Sequence, residues 1–377
     1  MRYAICSEFA YPYSKGGVEK RYFDLANSLI KKNHSIVWFT TKNWEGKNEI
    51  IKNGIHYVGI CNELNFKTSS GKRNILQPII FGINSIKILY HRNKFDFIDI
   101  SQYPFFHSFI LFLICTIFKK KSVLSLYEIW GSHWFSYRNF IIGFFGIMVE
   151  KLQIFFARKI IIISDKGFKS LSKNAQKKTV LIPNWINFNK IQKSEIFEKK
   201  YDICYFGRLV KHKNVNKILS SIKKAKEKNI HLTAIIIGDG DQKNNLENLA
   251  NKLGISNQVK FTGFIEKHSE LLELASMGKI FVMLSDKEGG GSIVSIEANA
   301  LGLPVLCNNS QYGIDSSLIL DGYNGYRIEN NCEKEIIKKV VKYLNLSNKN
   351  KQSIYNNCKQ FSRNFDISIA TKKYINL

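Results

Sequence analysis

The sequence predicts an α/β protein built from two doubly wound domains in series. Three observations carry this. Short apolar strands alternate with amphipathic helices along the whole chain, the pattern of parallel sheets covered by helices. The alternation breaks once, at "LIPNWINFNK" near residues 181–190, where a proline and polar residues read as a linker, and then restarts. The length of 377 residues suits two domains of ordinary size.

In the first series "RYAICSEF" reads as the opening strand and "GGVEKRYFDLANSLIKKNH" as a glycine turn opening a helix. Val18, Tyr22, Leu25, Ala26 and Leu29 recur there at helical spacing. The stretches "SIVWFTT", "DFIDIS", "SVLSLYEI" and "KIIIIS" continue as strands. After the linker come "YDICYFGRL", "LTAIIIGDG", "QVKFTGF", "KIFVMLS" and "PVLCNN". Between two of these, "DQKNNLENLANKLG" places Leu246, Leu249, Ala250 and Leu253 on one helix face, with Gly254 as the stop. The expected domains are residues 1–183 and 184–358, followed by a C-terminal segment 359–377. Ligands of such sheets bind beyond the carboxyl ends of the strands, so two such domains facing each other predict a cleft site.

Composition narrows the function. The apolar share of 45% is that of a globular protein with sizeable cores. The net charge is +26, with 27 basic and 11 acidic residues in 1–185 (+16) and 29 and 19 in 186–377 (+10). Such charge attracts anionic metabolites, anionic lipid or nucleic acid without choosing among them; no RNA-binding signature accompanies it. Seven scattered cysteines without a CxxC pair read as reduced thiols of a cytosolic protein. The N-terminus lacks the pattern of a signal peptide. Two apolar stretches, Phe105–Lys121 and Asn139–Ile163, are too short or too interrupted by charge to span a bilayer, which takes about 20 apolar residues. They read as buried helices, or as helices that also rest on an anionic membrane surface.

The chemistry concentrates in the second half. In "SDKEGGGSIVSIEANALGLPVL", Glu288 and Glu297 bracket Gly289, Gly290 and Gly291, and a helix begins at about Ser292. Bare glycines let backbone N–H groups approach a ligand, and a helix start favours an anion such as phosphate. The carboxylates suit hydroxyls beside that anion, as on a ribose or a sugar. Earlier, "YFGRLVKHKN" places Gly207 at a strand end with Arg208 and Lys213 just beyond it. Arg grips phosphate through paired N–H bonds, and Lys adds a point charge.

These pieces, with "GGVEKRYFDLANSL", "LIPNWIN", "IIIGDGDQKNNLENLANKLG", "VKFTGFI" and "DGYNGYRI", resemble in order the retaining glycosyltransferases of family 4. The resemblance covers almost the whole chain and is strongest from 181 to 328. It implies the GT-B fold: two Rossmann-like domains facing across a cleft, the first binding acceptor and the second nucleotide-sugar, with a C-terminal helix crossing back to the first. The reaction it implies moves a sugar from a nucleotide diphosphate-sugar to an acceptor hydroxyl with retained anomeric configuration, and requires no metal. Arg208 and Lys213 would hold the donor diphosphate and neutralise the charge of the leaving group. Glu297 would accept the ribose hydroxyls, Glu288 would face the donor sugar, and Gly289, Gly290, Gly291 and Ser292 would line it. Gly16 and Gly17 match the first-domain glycine loop near the diphosphate. Gly263, Phe264 and Ile265 match a segment near the nucleobase; Phe264 reads equally well as core.

Two departures stand out. Eight residues separate Glu288 from Glu297, one more than the family's usual spacing; the extra glycine either bulges out or turns Glu288 away. Tyr127 and Glu128 occupy the place of a customary His-Asp pair. Tyr127 is a poor base at its ordinary pKa of about 10, Glu128 serves as a polar contact or base, and His133 is a further candidate. Phe361 and Phe365 are expected to anchor the C-terminal segment on the first domain. The expected partners are a nucleotide-sugar donor, a glycan or lipid-linked acceptor and peripherally an anionic membrane on its cytoplasmic side, with no nucleic acid. The rival readings are an epimerase-like enzyme of the same fold and a basic binding protein without activity. A nicotinamide-dependent dehydrogenase is disfavoured, because neither domain opens with GxGxxG.

Overall fold

A computed structural model describes residues 1–14, 16–64, 76–132, 134–135, 140–193, 195, 197–310 and 312–377. The chain divides into two compact units, Met1–Pro183 with Thr371–Leu377, and Asn184–Ala370.

The first unit carries an eight-stranded sheet in the order β3-β4-β2-β1-β5-β6-β7-β8. Its strands are β1 (Arg2–Cys6), β2 (Ser35–Lys42), β3 (Glu49–Lys52), β4 (Ile55–Asn62), β5 (Phe97–Ser101), β6 (Lys121–Leu126), β7 (Ile160–Ile162) and β8 (Thr179–Leu181). All pairings are parallel except β3 with β4 at the edge. Strands this apolar need cover on both faces, and helices Gly17–Ile30, Leu76–Asn84, His107–Ile117 and Phe140–Phe156 lie among them in the chain. The first helix buries Tyr22, Leu25, Ala26 and Leu29 as its periodicity predicts, together with Arg21. The chain leaves β1 for β2 on one side and returns to β5 on the other, so the direction of winding reverses at β1.

The second unit holds a wholly parallel six-stranded sheet in the order β11-β10-β9-β12-β14-β16. These strands are β9 (Tyr201–Phe206), β10 (Ala234–Ile237), β11 (Val259–Gly263), β12 (Gly278–Met283), β14 (Val305–Asn308) and β16 (Gly325–Ile328). A separate two-stranded ribbon pairs β13 (Lys287–Gly290) with β15 (Tyr312–Ile314). Alternate residues feed two cores: Ile203, Tyr205, Ile280 and Val282 face one, and Cys204, Phe206, Phe281 and Met283 the other. Winding reverses here between β9 and β12.

The C-terminal segment corrects one expectation. Helix Asn348–Arg363 stays with the second unit, where Ile354 and Cys358 are buried in its core, and Phe365 packs on the opposite core of that same unit. Phe361 lies 5.3 Å from the Phe365 ring. Residues from Thr371 onward join the first unit, anchored there by Tyr374 against Tyr3 and Phe97 rather than by the two phenylalanines.

Candidate functional site

The reversal point of the second sheet predicts where a ligand sits: in the crevice beyond β9 and β12. Of the residues singled out from sequence, Gly207, Arg208 and Lys213 follow β9 and Glu288 follows β12. After β9, Gly207 turns the chain at φ +149°. Gly238, after β10, has φ +140° and passes so close to the Gly207 carbonyl that a Cβ would collide with it. Arg208 is exposed on this turn, its carbonyl accepting a 2.9 Å bond from the Tyr205 hydroxyl, while Leu209 is fully buried and pins the loop. A short 3₁₀ turn, Lys211–Lys213, ends at Asn214 in the left-handed region at φ 53°, a conformation Asn tolerates.

The loop after β12 is tied to this one. The Asn214 amide donates to the Leu284 carbonyl at 2.8 Å and to Asp286 at 2.6 Å. Asp286 also accepts from Asn308 at 2.9 Å and Asn331 at 3.3 Å, and its own N–H donates to the His212 carbonyl at 3.0 Å. Lys213 and Glu288 then meet in an ion pair, their side chains only 12% and 10% exposed. Burial and the nearby charges of Lys213, Arg208 and Lys287 hold the His212 imidazole below its ordinary pKa, opposed by Glu288.

The ribbon that carries Glu288 is irregular. Lys287 pairs with Tyr312 and Gly290 with Ile314, so three steps on β13 match two on β15, a bulge. Gly289 and Gly290 thus belong to β13, and Glu288 remains on Lys213. The Gly291 carbonyl accepts from the Asn184 amide at 2.7 Å. Ser292 caps helix Ile293–Ala300, its side chain accepting from the Ser295 N–H. Glu297 is 8% exposed, with Oε1 3.0 Å from His268 Nε2. Gly263 closes β11 at φ +73°, Phe264 beyond it is 69% exposed and so not a core residue, and Ile265 packs against the core.

Within the first unit, Gly16 stands at the N-cap of helix Gly17–Ile30, where a Cβ would strike the Glu19 carboxylate. Burial pushes the Glu19 carboxyl above its ordinary pKa. Tyr127 is buried and its ring lies edge-on to Tyr22 at 6.3 Å. Burial raises its phenol far above the ordinary value, with the Asp99 charge adding to the effect. Tyr127 therefore belongs to a buried polar cluster and has no open path to a substrate hydroxyl. At the centre of that cluster Asp99 accepts from Tyr22 at 2.9 Å and Ser125 at 2.7 Å, and burial pushes its carboxyl up to about 6. Arg21, also buried, donates to the carbonyls of Ile182 and Pro183 at 2.9 and 3.0 Å. Glu128 is half-buried and accepts a 2.7 Å bond from the Trp130 indole. His133 lies outside the described residues.

Sequence reasoning passed over His268, Asp286 and the Asp99 cluster, whose partners are distant in the chain. Asp239 and Asp241, one glycine apart after β10, form a D-x-D triplet, so the expectation that no metal is required draws no support from the lack of one. Asp239 accepts from the Gly240 N–H and lies 3.8 Å from Lys243. Among the described residues no three His, Cys, Asp or Glu side chains gather as a metal site.

The first unit also shows a broad apolar surface. On helix Phe140–Phe156 the exposed side chains include Phe140, Ile141, Phe144, Phe145 and Phe155, and on helix His107–Ile117 Leu113 and Ile117. Among the described residues no helix is long and apolar enough to cross a membrane.

Over its full length the chain superimposes on HepE of Anabaena, solved in complex with UDP and glucose, with a TM-score of 0.70 at 17% identity, covering 100% of this chain and 98% of that one. The fold is GT-B, the architecture of a large class of glycosyltransferases. Residues 187–360 match the model of the glycosyl transferases group 1. An uncharacterized glycosyltransferase of Methanocaldococcus jannaschii is 27% identical over 319 residues, 79% of each chain. The capsular polysaccharide biosynthesis glycosyltransferase CapM of Staphylococcus aureus is 29% identical over 214 residues, 52% of this chain and 55% of CapM.

Proposed function

We propose that this protein is a retaining glycosyltransferase that takes a sugar from a nucleotide diphosphate-sugar and attaches it to a hydroxyl of a glycan or lipid-linked acceptor in surface polysaccharide or glycolipid synthesis. The observation that carries the proposal is the convergence, at the reversal point of the second sheet, of a cationic turn with a capped helix start and two shielded carboxylates. The donor diphosphate binds Arg208 and Lys213, whose charges offset the negative charge that grows on the leaving group; the reading requires no metal. The N–H groups at the start of helix Ile293–Ala300 and the backbone of Gly289 to Gly291 face the phosphates and sugar. Glu297 takes the ribose hydroxyls, and Phe264, being exposed, offers a ring to the nucleobase. In a retaining reaction the departing diphosphate oxygen takes the acceptor's proton, so the burial of Tyr127 costs the mechanism nothing. The known roles of similar proteins agree with this: CapM acts in capsule synthesis, and HepE was solved with UDP and glucose.

The exposed phenylalanines of helix Phe140–Phe156 and the basic residues Lys119–Lys121, Lys151, Arg158 and Lys159 suit an anionic bilayer surface on which a lipid-linked acceptor is met. Seven free thiols fit a cytoplasmic setting. A thermal-shift series with UDP, GDP, ADP, NAD and common nucleotide-sugars, without added metal, tests the donor. A ligand that binds only the folded protein raises its melting temperature. A shift with one nucleoside diphosphate and its conjugates is the expected result; no shift with any overturns the donor assignment.

A further inference from the structure

Lys213 and Glu288 are assigned to different parts of the donor, yet they are ion-paired with each other. Both side chains are about nine-tenths shielded from solvent, so the pair is less screened than a surface ion pair. The surrounding groups are cationic. Arg208 and Lys287 act on the same half-buried His212 that senses Lys213 and Glu288, and Asp286, the other acid of the loop, is taken up by Asn214, Asn308 and Asn331. Glu288 is therefore the anion that a diphosphate must compete with for the Lys213 ammonium.

We propose that Glu288 and the donor diphosphate compete for Lys213, and that this competition makes the site favour an intact nucleotide-sugar over the spent nucleoside diphosphate. The inference rests on the donor reading above. An intact donor carries one negative charge fewer on its diphosphate than the free diphosphate does. It also brings sugar hydroxyls, which donate hydrogen bonds to Glu288 once its partner is shared. The spent diphosphate brings more negative charge to the same carboxylate and no hydroxyl to engage it. Repulsion between like charges in a shielded site is stronger than in water. Glu288 thus weakens product binding while leaving donor binding supported, and so speeds release of product.

The test measures dissociation constants by calorimetry for UDP, GDP and ADP and for their glucose and N-acetylglucosamine conjugates. The proteins are wild type, Glu288→Gln, Glu288→Ala, Lys213→Ala and the Lys213→Ala/Glu288→Gln double variant. With a diphosphate that binds wild type, Glu288→Gln should bind it about 3- to 10-fold more tightly, the scale of a partly shielded charge contact. Its preference for the sugar conjugate should fall at least as much. In the Lys213→Ala background the same substitution should change diphosphate affinity less, because the competed cation is gone. Glu288→Ala gives the same sign if the amide happens to disturb the ribbon. Unchanged or weaker diphosphate binding in both Glu288 variants overturns the competition while leaving the donor reading standing. A wild type that binds none of the three diphosphates overturns the donor reading and the competition with it.

Discussion

Arg208 projects from the turn after β9 with its backbone fixed by the Tyr205 hydroxyl and its side chain exposed, a placement suited to gripping phosphate and of no evident use to the core. Arg208→Ala should weaken binding of the recognised nucleoside diphosphate by about 1.5–3 kcal/mol, the scale of a charged hydrogen bond, with the unfolding midpoint unchanged. Titration calorimetry reads this directly, and wild-type affinity would remove Arg208 from the phosphate. Asp99 makes a different residue-scale prediction. Its carboxyl is raised by burial from 3.8 to about 6, so the folded protein holds that proton more tightly than the unfolded chain. The stability gained from this is complete below pH 3.8 and lost as pH rises through about 6. Asp99→Asn cannot titrate; relative to it, wild type should lose about 2–3 kcal/mol between about pH 4 and pH 7 in urea unfolding. A constant difference across that range would show that Asp99 does not titrate as the buried cluster implies.

The elements that position the site do so through backbone contacts as much as side chains. The turns after β9 and β10 run so close together that Gly238 sits against the Gly207 carbonyl at a φ of +140° that disfavours any side chain. Gly238→Ala should destabilise the protein by about 2–4 kcal/mol, through backbone strain and the forced separation of the two turns. Gly254→Ala is the control: its φ is +65° but nothing lies near its Cβ position, so only about 1 kcal/mol is expected. Similar losses at both positions in chemical denaturation would mean that conformation, not the close approach, makes glycine necessary. The ribbon of β13 and β15 adds to this: its strands pair through a bulge between Lys287 and Gly290, and Glu288 within that bulge is ion-paired with Lys213.

For the molecule as a whole, charge and apolar exposure coincide in the first 185 residues. They carry a net +16, and they include helix Phe140–Phe156, where Phe140 and Phe155 are each 74% exposed. A water-soluble protein rarely leaves a patch of this kind uncovered. The full-length protein should sediment with vesicles containing phosphatidylglycerol and much less with neutral phosphatidylcholine. A Phe144→Glu/Phe155→Glu double variant should lose most of that binding with its melting temperature unchanged. Equal binding by the variant would place the membrane contact elsewhere, and no binding by wild type would remove it.

The sequence by itself determined the two α/β series, the break near residue 183, the periodic helices and the loops where Arg208, Lys213, Glu288 and Glu297 reside. These are local matters: strand and helix periods, a glycine at a strand end and a serine before a helix follow from neighbours in the chain. Tertiary structure alone decided that Tyr127 lies buried beside Tyr22 and that Phe264 is exposed. It also decided that Phe365 serves the second unit, that Glu297 meets His268 and that Lys213 holds Glu288. Each of these depends on which strands become neighbours in a sheet, and therefore on contacts between residues tens of positions apart that no local pattern encodes.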